Sequence, residues 1–224
     1  MKALFPSIIA VAFALPAIAS DVSIAPGLPG WQELTFSGKT PNRWNVENGS
    51  LVIDSASSVS IRYLPVRVDP VAEPVLRWRW RVDQAPPPTD LARKGGDDRA
   101  ITLTVGFAYD SAAASLGERM KRGLVEQFAG RDAPGRVIDL TWGGTAPEGS
   151  VLSDPYAGSA GRQVVMQVGS ASGWVEESVD VAALYRRIWG AEPPAITQIG
   201  IYADSDDTGT AARSRIADIR FEPN

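Results

Sequence analysis

Apolar and polar residues alternate with period two along much of this chain, the mark of strands that cover one face and expose the other. The clearest case is Val75 to Val82, where Leu76, Trp78, Trp80 and Val82 alternate with Val75, Arg77, Arg79 and Arg81. One face is heavily apolar and the other carries three guanidinium groups. Arg99 to Tyr109 repeats the pattern, with Ile101, Leu103, Val105 and Phe107 opposed to Thr102, Thr104 and Gly106. Val46 to Ile53 predicts a hairpin, because Asn48-Gly49 between two β-prone runs suits a type I′ turn with positive φ at both central residues. Ser60 to Val68 reads as the next strand, with Pro65 marking a bulge or an edge. Val137 to Trp142, Gln163 to Val168, Ile196 to Ala203 and Arg215 to Glu222 read as further strands.

Two stretches change period. Leu116, Met120, Leu124 and Phe128 recur every fourth residue, a helical stripe with Glu118, Arg119, Lys121 and Arg122 outside it. Asp180 caps a second helix, Val181 to Trp189, and Gly190 ends it ahead of Pro193 and Pro194. About eight strands, two short inserted helices and no βαβ rhythm predict a mostly β fold, an antiparallel β-sandwich that is jelly-roll-like. The linker-like stretch Asp83 to Asp98, with three successive prolines and Gly95-Gly96, is placed inside the domain, because the strands on either side need each other as partners.

Composition narrows the chemistry. Hydrophobic residues are 44% and charged residues 21%, as expected of a chain that folds around a core. The sequence has no Cys and no His, which removes disulfides, thiol nucleophiles, the usual zinc ligands and every Ser-His-Asp triad. A net charge of -4 argues against general nucleic-acid binding. Met1-Lys2, the apolar run Ala3 to Leu15 and Ala17-Ile18-Ala19 have the parts of a secretory signal peptide, with cleavage expected near Ala19. The expected organisation is a leader over 1–19 and a single β-sandwich domain over 20–224, periplasmic or secreted, with no transmembrane anchor in the mature chain.

Several segments together resemble the bacterial domain-of-unknown-function family numbered 3047. They are Leu76 to Val82, Gly96-Asp97-Asp98-Arg99-Ala100, Leu140-Thr141-Trp142-Gly143, Trp174-Val175-Glu176-Glu177, Asp180-Val181 with Tyr185-Arg186-Arg187, Ile201 to Thr208, and Ala217-Asp218-Ile219. The resemblance spans most of the mature chain. It implies an exported bacterial protein without an assigned activity, shaped like the jelly rolls of carbohydrate-binding modules. Asp207 stands where that pattern expects Asn, and the stretch from Leu116 to Phe128 is longer than the pattern.

Three features are candidate sites. Asp204, Asp206 and Thr208 followed by Gly209 resemble the first half of a calcium loop, with Asp97 or Asp98 as completing ligands. Arg215 stands where the bidentate Glu of an EF-hand belongs, and an Asx-turn explains the same residues. Arg77, Arg79 and Arg81 suit anionic sugars or phosphates through bidentate forks; the competing and favoured reading pairs them with carboxylates such as Asp139, Asp218 or Glu222. Trp142 beside Gly143-Gly144, and Trp174 after Gly173, are placed either to stack on a sugar ring or to cap the ends of the sandwich. Trp78 and Trp80 belong to the core.

No catalytic motif stands out. Asp97, Asp98, Glu148, Glu176 and Asp204 could supply a carboxylate pair for glycoside chemistry. Tyr63, Tyr109, Tyr156 and Tyr202 could serve a lyase. The expected function is therefore a non-catalytic exported module that binds a glycan or envelope polysaccharide. The alternatives are a polysaccharide lyase or glycoside hydrolase working without His, or a structural protein-interaction domain of the envelope.

Overall fold

The computed structural model describes residues 22–120, 122, 133–171 and 173–224. The expected leader, and Leu124 and Phe128 of the helical stripe, lie outside the described residues. Among the described residues, thirteen strands form two sheets. Chain order runs β1 (Val22–Ile24), β2 (Gln32–Thr35), β3 (Arg43–Glu47), β4 (Ser50–Ala56), β5 (Val59–Val68), β6 (Val75–Gln84) and β7 (Arg99–Phe107). It continues with β8 (Arg136–Trp142), β9 (Val151–Asp154), β10 (Gly158–Gln167), β11 (Val175–Asp180), β12 (Ile196–Asp204) and β13 (Ala211–Glu222). The first sheet has the order β11-β6-β13-β4-β3, with β1 also on β13, and the second β2-β5-β12-β7-β8-β10-β9. The fold is a jelly-roll β-sandwich, and one pair, β8 with β10, runs parallel where all-antiparallel pairing was expected.

Alternation decides which side of each strand enters the core. Leu76, Trp78, Trp80 and Val82 of β6 meet Ile101, Leu103, Val105 and Phe107 of β7 and Ile199, Ile201 and Ala203 of β12 in one apolar cluster. Trp78, Trp80 and Trp142 pack edge to face, with centroids 5.2 and 5.5 Å apart. Asn48 and Gly49 both take positive φ, 49° and 76°, at the β3–β4 turn that the sequence predicts.

The helix Val181–Trp189 begins and ends as expected. The Asp180 carboxylate accepts from the Ala183 amide, and Gly190 closes the helix with φ 65°. Its Tyr185 ring packs on Phe107 in the core.

The other helical segment, which starts at residue 116, turns the opposite way from the expected stripe. Leu116 and Met120 are exposed, at 75% and 77%, while Glu118 is 7% exposed and pairs with Arg136. Ser115 and Glu118 bond reciprocally, side chain to backbone amide in both directions, which is a capping box. That cap, together with the buried ion pair, sets the rotation of the first turn.

Candidate functional site

Across the outer face of the seven-stranded sheet lies a cleft of about 1330 Å³. Its floor consists of the positions that alternate with the core: Gln198, Gly200, Tyr202 and Asp204 of β12, Thr104 and Gly106 of β7, Val137 and Asp139 of β8, and Ile61 and Tyr63 of β5. Strand register sets Tyr63, Gly200, Thr104, Asp139 and Gln163 in one row across five strands. Gly200 keeps that row low, since a Cβ there would stand 3.2 Å from the Thr104 Cβ. On opposite flanks stand Tyr63, from β5, and Tyr156, from the β9–β10 turn and 61% exposed.

A buried polar network occupies the floor. The Arg99 guanidinium donates to the Tyr202 hydroxyl at 2.6 Å and to Gln163 at 3.2 Å, and it pairs with the Asp97 carboxylate. Tyr202 in turn donates to Asp139 at 2.9 Å, and the Thr104 hydroxyl donates to the other Asp139 oxygen at 2.6 Å. Burial, reinforced by the charge of Asp154, pushes the Asp139 carboxyl up to about 6 against the pull of those donors. Tyr156 donates to Asp97 at 3.1 Å. Asp97 is raised by its own burial, with Arg99 opposing.

The acidic loop adjoins this network. Asp98, Asp204 and Asp206 each bring a carboxylate oxygen within 4.8 Å of the others, a triad that could hold a metal. Thr208 and Asp97 are differently engaged. The Thr208 amide and hydroxyl both donate to Asp98, at 2.8 and 2.6 Å, and the Asp207 amide donates to its second oxygen at 3.2 Å. Asp98 therefore stitches the 204–209 loop to the start of β7, and Asp97 belongs to Arg99. Lys39 pairs with Asp206. Burial raises Asp204 to about 7; Arg99 opposes, and Asp98, Asp97 and Asp207 add to the rise.

The other expected ligand residues lie elsewhere. Arg77, Arg79 and Arg81 are on the outer face of the opposite sheet, each with a carboxylate: Arg77 with Glu222, Arg79 with Asp218 at 2.6 Å, and Arg81 with Asp83 at 2.6 Å. The ladder reading matches this arrangement for two named partners, Asp218 and Glu222. Asp139 belongs to the other sheet and serves the cleft instead. Trp142 is 1% exposed and its indole N–H donates to the Gly169 carbonyl, so no ring face is free to stack on a sugar. Trp174 is half-buried, and the Arg79 guanidinium covers its ring at 4.6 Å.

Reading the sequence for sites missed Arg99 and Asp139 as cleft residues. A signal was present for Asp139: apart from Val137, the off-core positions that line the cleft on β7, β8 and β12 are Thr, Gly, Asp, Gln and Tyr, whereas those of β6 are Arg. Short or uncharged side chains opposite a core face indicate a hollow, and long charged ones indicate a face in water. Arg99 shares the parity of the core residue Ile101 and sits at the register shift between Tyr202 and Asp204, which alternation does not signal.

The fold and this cleft define a jelly-roll protein with an acidic, tyrosine-flanked groove on one sheet. The chain belongs to the family described as protein of unknown function DUF3047, which it matches over residues 29–220. No curated protein matches the sequence. Solved structures of similar shape include the family 11 carbohydrate-binding module from Clostridium thermocellum, in complex with a β-1,3-1,4-mixed-linked tetrasaccharide. It has TM-score 0.43 and 6% identity over 91% of this chain and 95% of that one. The xyloglucanase domain of a type three effector from Sinorhizobium fredii, in complex with cellobiose, has TM-score 0.46 and 7% identity, covering 90% and 98%. The family 12 xyloglucanase from Bacillus licheniformis has TM-score 0.41 and 9% identity, covering 92% and 100%.

Proposed function

We propose that this is an exported, non-catalytic glycan-binding protein of the bacterial envelope, one β-sandwich domain over 20–224, with its ligand in the cleft of the seven-stranded sheet. One observation carries the reading. The cleft, at about 1330 Å³, exceeds the roughly 300–1,000 Å³ of small-molecule sites and suits an extended oligomer. Tyr63, and the face of Tyr156 opposite the Lys94 ammonium that lies 5.2 Å from its ring centroid, are available to sugar rings, while Gln198, Gln32 and the floor carboxylates offer partners to hydroxyls.

The test is binding to a glycan array, followed by affinity measurements on Tyr63→Ala and Tyr156→Ala. Each substitution is expected to weaken binding on the order of tenfold, the equivalent of about 1.4 kcal/mol. Unchanged affinity in both variants overturns the cleft as the site. The same array read in calcium and in chelator tests the expected calcium, since loss of binding in chelator would assign it to the triad.

A second reading, glycoside hydrolysis in the same cleft, is favoured by one specific observation. Such chemistry needs one protonated and one ionised carboxyl, and Asp139 is raised to about 6 with Asp154 also lining the cleft. New reducing ends appearing on an incubated polysaccharide would replace the binding-only reading.

A further inference from the structure

Charge in the cleft is unevenly distributed. Six aspartates line it against Lys39, Arg99 and Arg122. The excess converges at the corner where β7 starts and β12 ends, where Asp98, Asp204 and Asp206 approach one another. Two members of that corner are already engaged. Both Asp98 oxygens accept from the 207–208 backbone and the Thr208 hydroxyl, and Asp206 holds the Lys39 ammonium.

Asp204 differs. It lines the cleft, is 8% exposed, and forms no ion pair among the described residues. Its carboxylate's one hydrogen bond among them is a long 3.4 Å contact from the Asp206 amide to Oδ1, which leaves Oδ2 without a partner in the protein. A carboxylate buried this deeply with no cation in direct contact is expensive, and burial raises its pKa, with the nearby Arg99 opposing and the neighbouring aspartates adding to the rise.

We infer that the cleft selects glycans bearing a free amino group, with the sugar's ammonium seated on Asp204 beside Asp98 and Asp206. This rests on the glycan reading above and names its substrate class. An ammonium suits the corner better than a metal ion. It brings three N–H donors and needs three acceptors, whereas calcium requires about six to eight oxygen ligands, and here most carboxylate oxygens are already bonded. Lys39 on Asp206 is the same chemistry supplied by the protein itself. The acidic lining also repels uronates and phosphorylated sugars.

The experiment measures affinities of the protein, in chelator and at low salt, for a β-1,4-linked glucosamine hexamer, its fully N-acetylated counterpart, cellohexaose and hexalysine. The glucosamine hexamer is expected to bind tighter than the N-acetylated and neutral hexamers by on the order of tenfold, as one charge-assisted contact provides. That advantage should shrink as salt is raised. Asp204→Asn is expected to remove it, with thermal unfolding of the variant as the control for folding. Equal affinity for the acetylated or neutral hexamer overturns the amino-sugar assignment and leaves glycan binding standing. Equal binding of hexalysine overturns it as well, since the corner would then be a general cation site. Failure of all three sugars to bind overturns the amino-sugar assignment alone where the glycan array shows another ligand, and overturns both readings where the array is blank.

Discussion

The Tyr202 hydroxyl receives a hydrogen bond from Arg99 and donates one to Asp139, with the ring itself buried. The neutral hydroxyl thereby joins the Arg99 guanidinium to the Asp139 carboxyl. Tyr202→Phe keeps the ring and removes the bridge. A buried group left short of a partner costs about 1–3 kcal/mol. For a chain of this size, each kcal/mol corresponds to roughly 2–4 °C of melting temperature. Thermal unfolding of Tyr202→Phe is therefore expected to fall by several degrees, and an unchanged melting temperature would show that the hydroxyl contributes nothing. The neighbouring Asp204 shows the opposite condition, a buried carboxylate whose missing partner is what the proposed ligand supplies.

Within elements, β6 and β12 illustrate one rule with two results. Both alternate cleanly, and both bury one face in the same core. On β6 the off-core side is Arg77, Arg79 and Arg81; the first two tie across to β13 through Glu222 and Asp218, and Arg81 pairs with Asp83 of its own strand. On β12 the off-core side is Gln198, Gly200, Tyr202 and Asp204, and it lines the hollow. The arginines are partly exposed, so their pairs fall in the range of about 0–1 kcal/mol typical of surface salt bridges. Single substitutions Arg77→Gln, Arg79→Gln and Arg81→Gln are expected to shift stability by less than about 1 kcal/mol and to leave glycan affinity unchanged. A loss of glycan binding in any of them would move the site to this sheet.

At the level of the whole molecule, the buried acids give stability an unusual dependence on pH. Asp139 and Asp204 are raised to about 6 and about 7 from an ordinary value of 3.8. Between that ordinary value and the raised ones, the folded protein binds more protons than the unfolded chain, so these two groups make stability fall as pH rises. Glu47 of β3 and Glu222 of β13 are held low, mainly by hydrogen bonds from Arg215 and Arg77 respectively, and oppose this only at acid pH. Without ligand or metal, the melting temperature is expected to be higher near pH 5.5 than near pH 8. Asp204→Asn should raise it at pH 8 more than at pH 5. Identical pH profiles for the variant and the parent would mean that Asp204 is not strained by its burial.

Local pattern alone determined much of this protein. Period two in Leu76 to Val82 and Ile101 to Phe107 assigned core and outer faces correctly, because a strand has only two sides. Asn48-Gly49, Asp180 and Gly190 placed a turn and both helix ends, because their chemistry acts within a few residues. Only the tertiary structure decided which outer face becomes the site. Trp142 beside two glycines could either stack on a sugar or cap the sandwich, and the structure seals it between the sheets against Trp80. Asp139 looked like a partner for the arginines, yet its strand lies in the other sheet. Leu116 and Met120 formed a convincing stripe, but an ion pair between residues 18 apart turned Glu118 inward instead. A cleft built from five strands depends on strand order and register, and these are set by pairings between residues as distant as Tyr63 and Gly200, which no local pattern encodes.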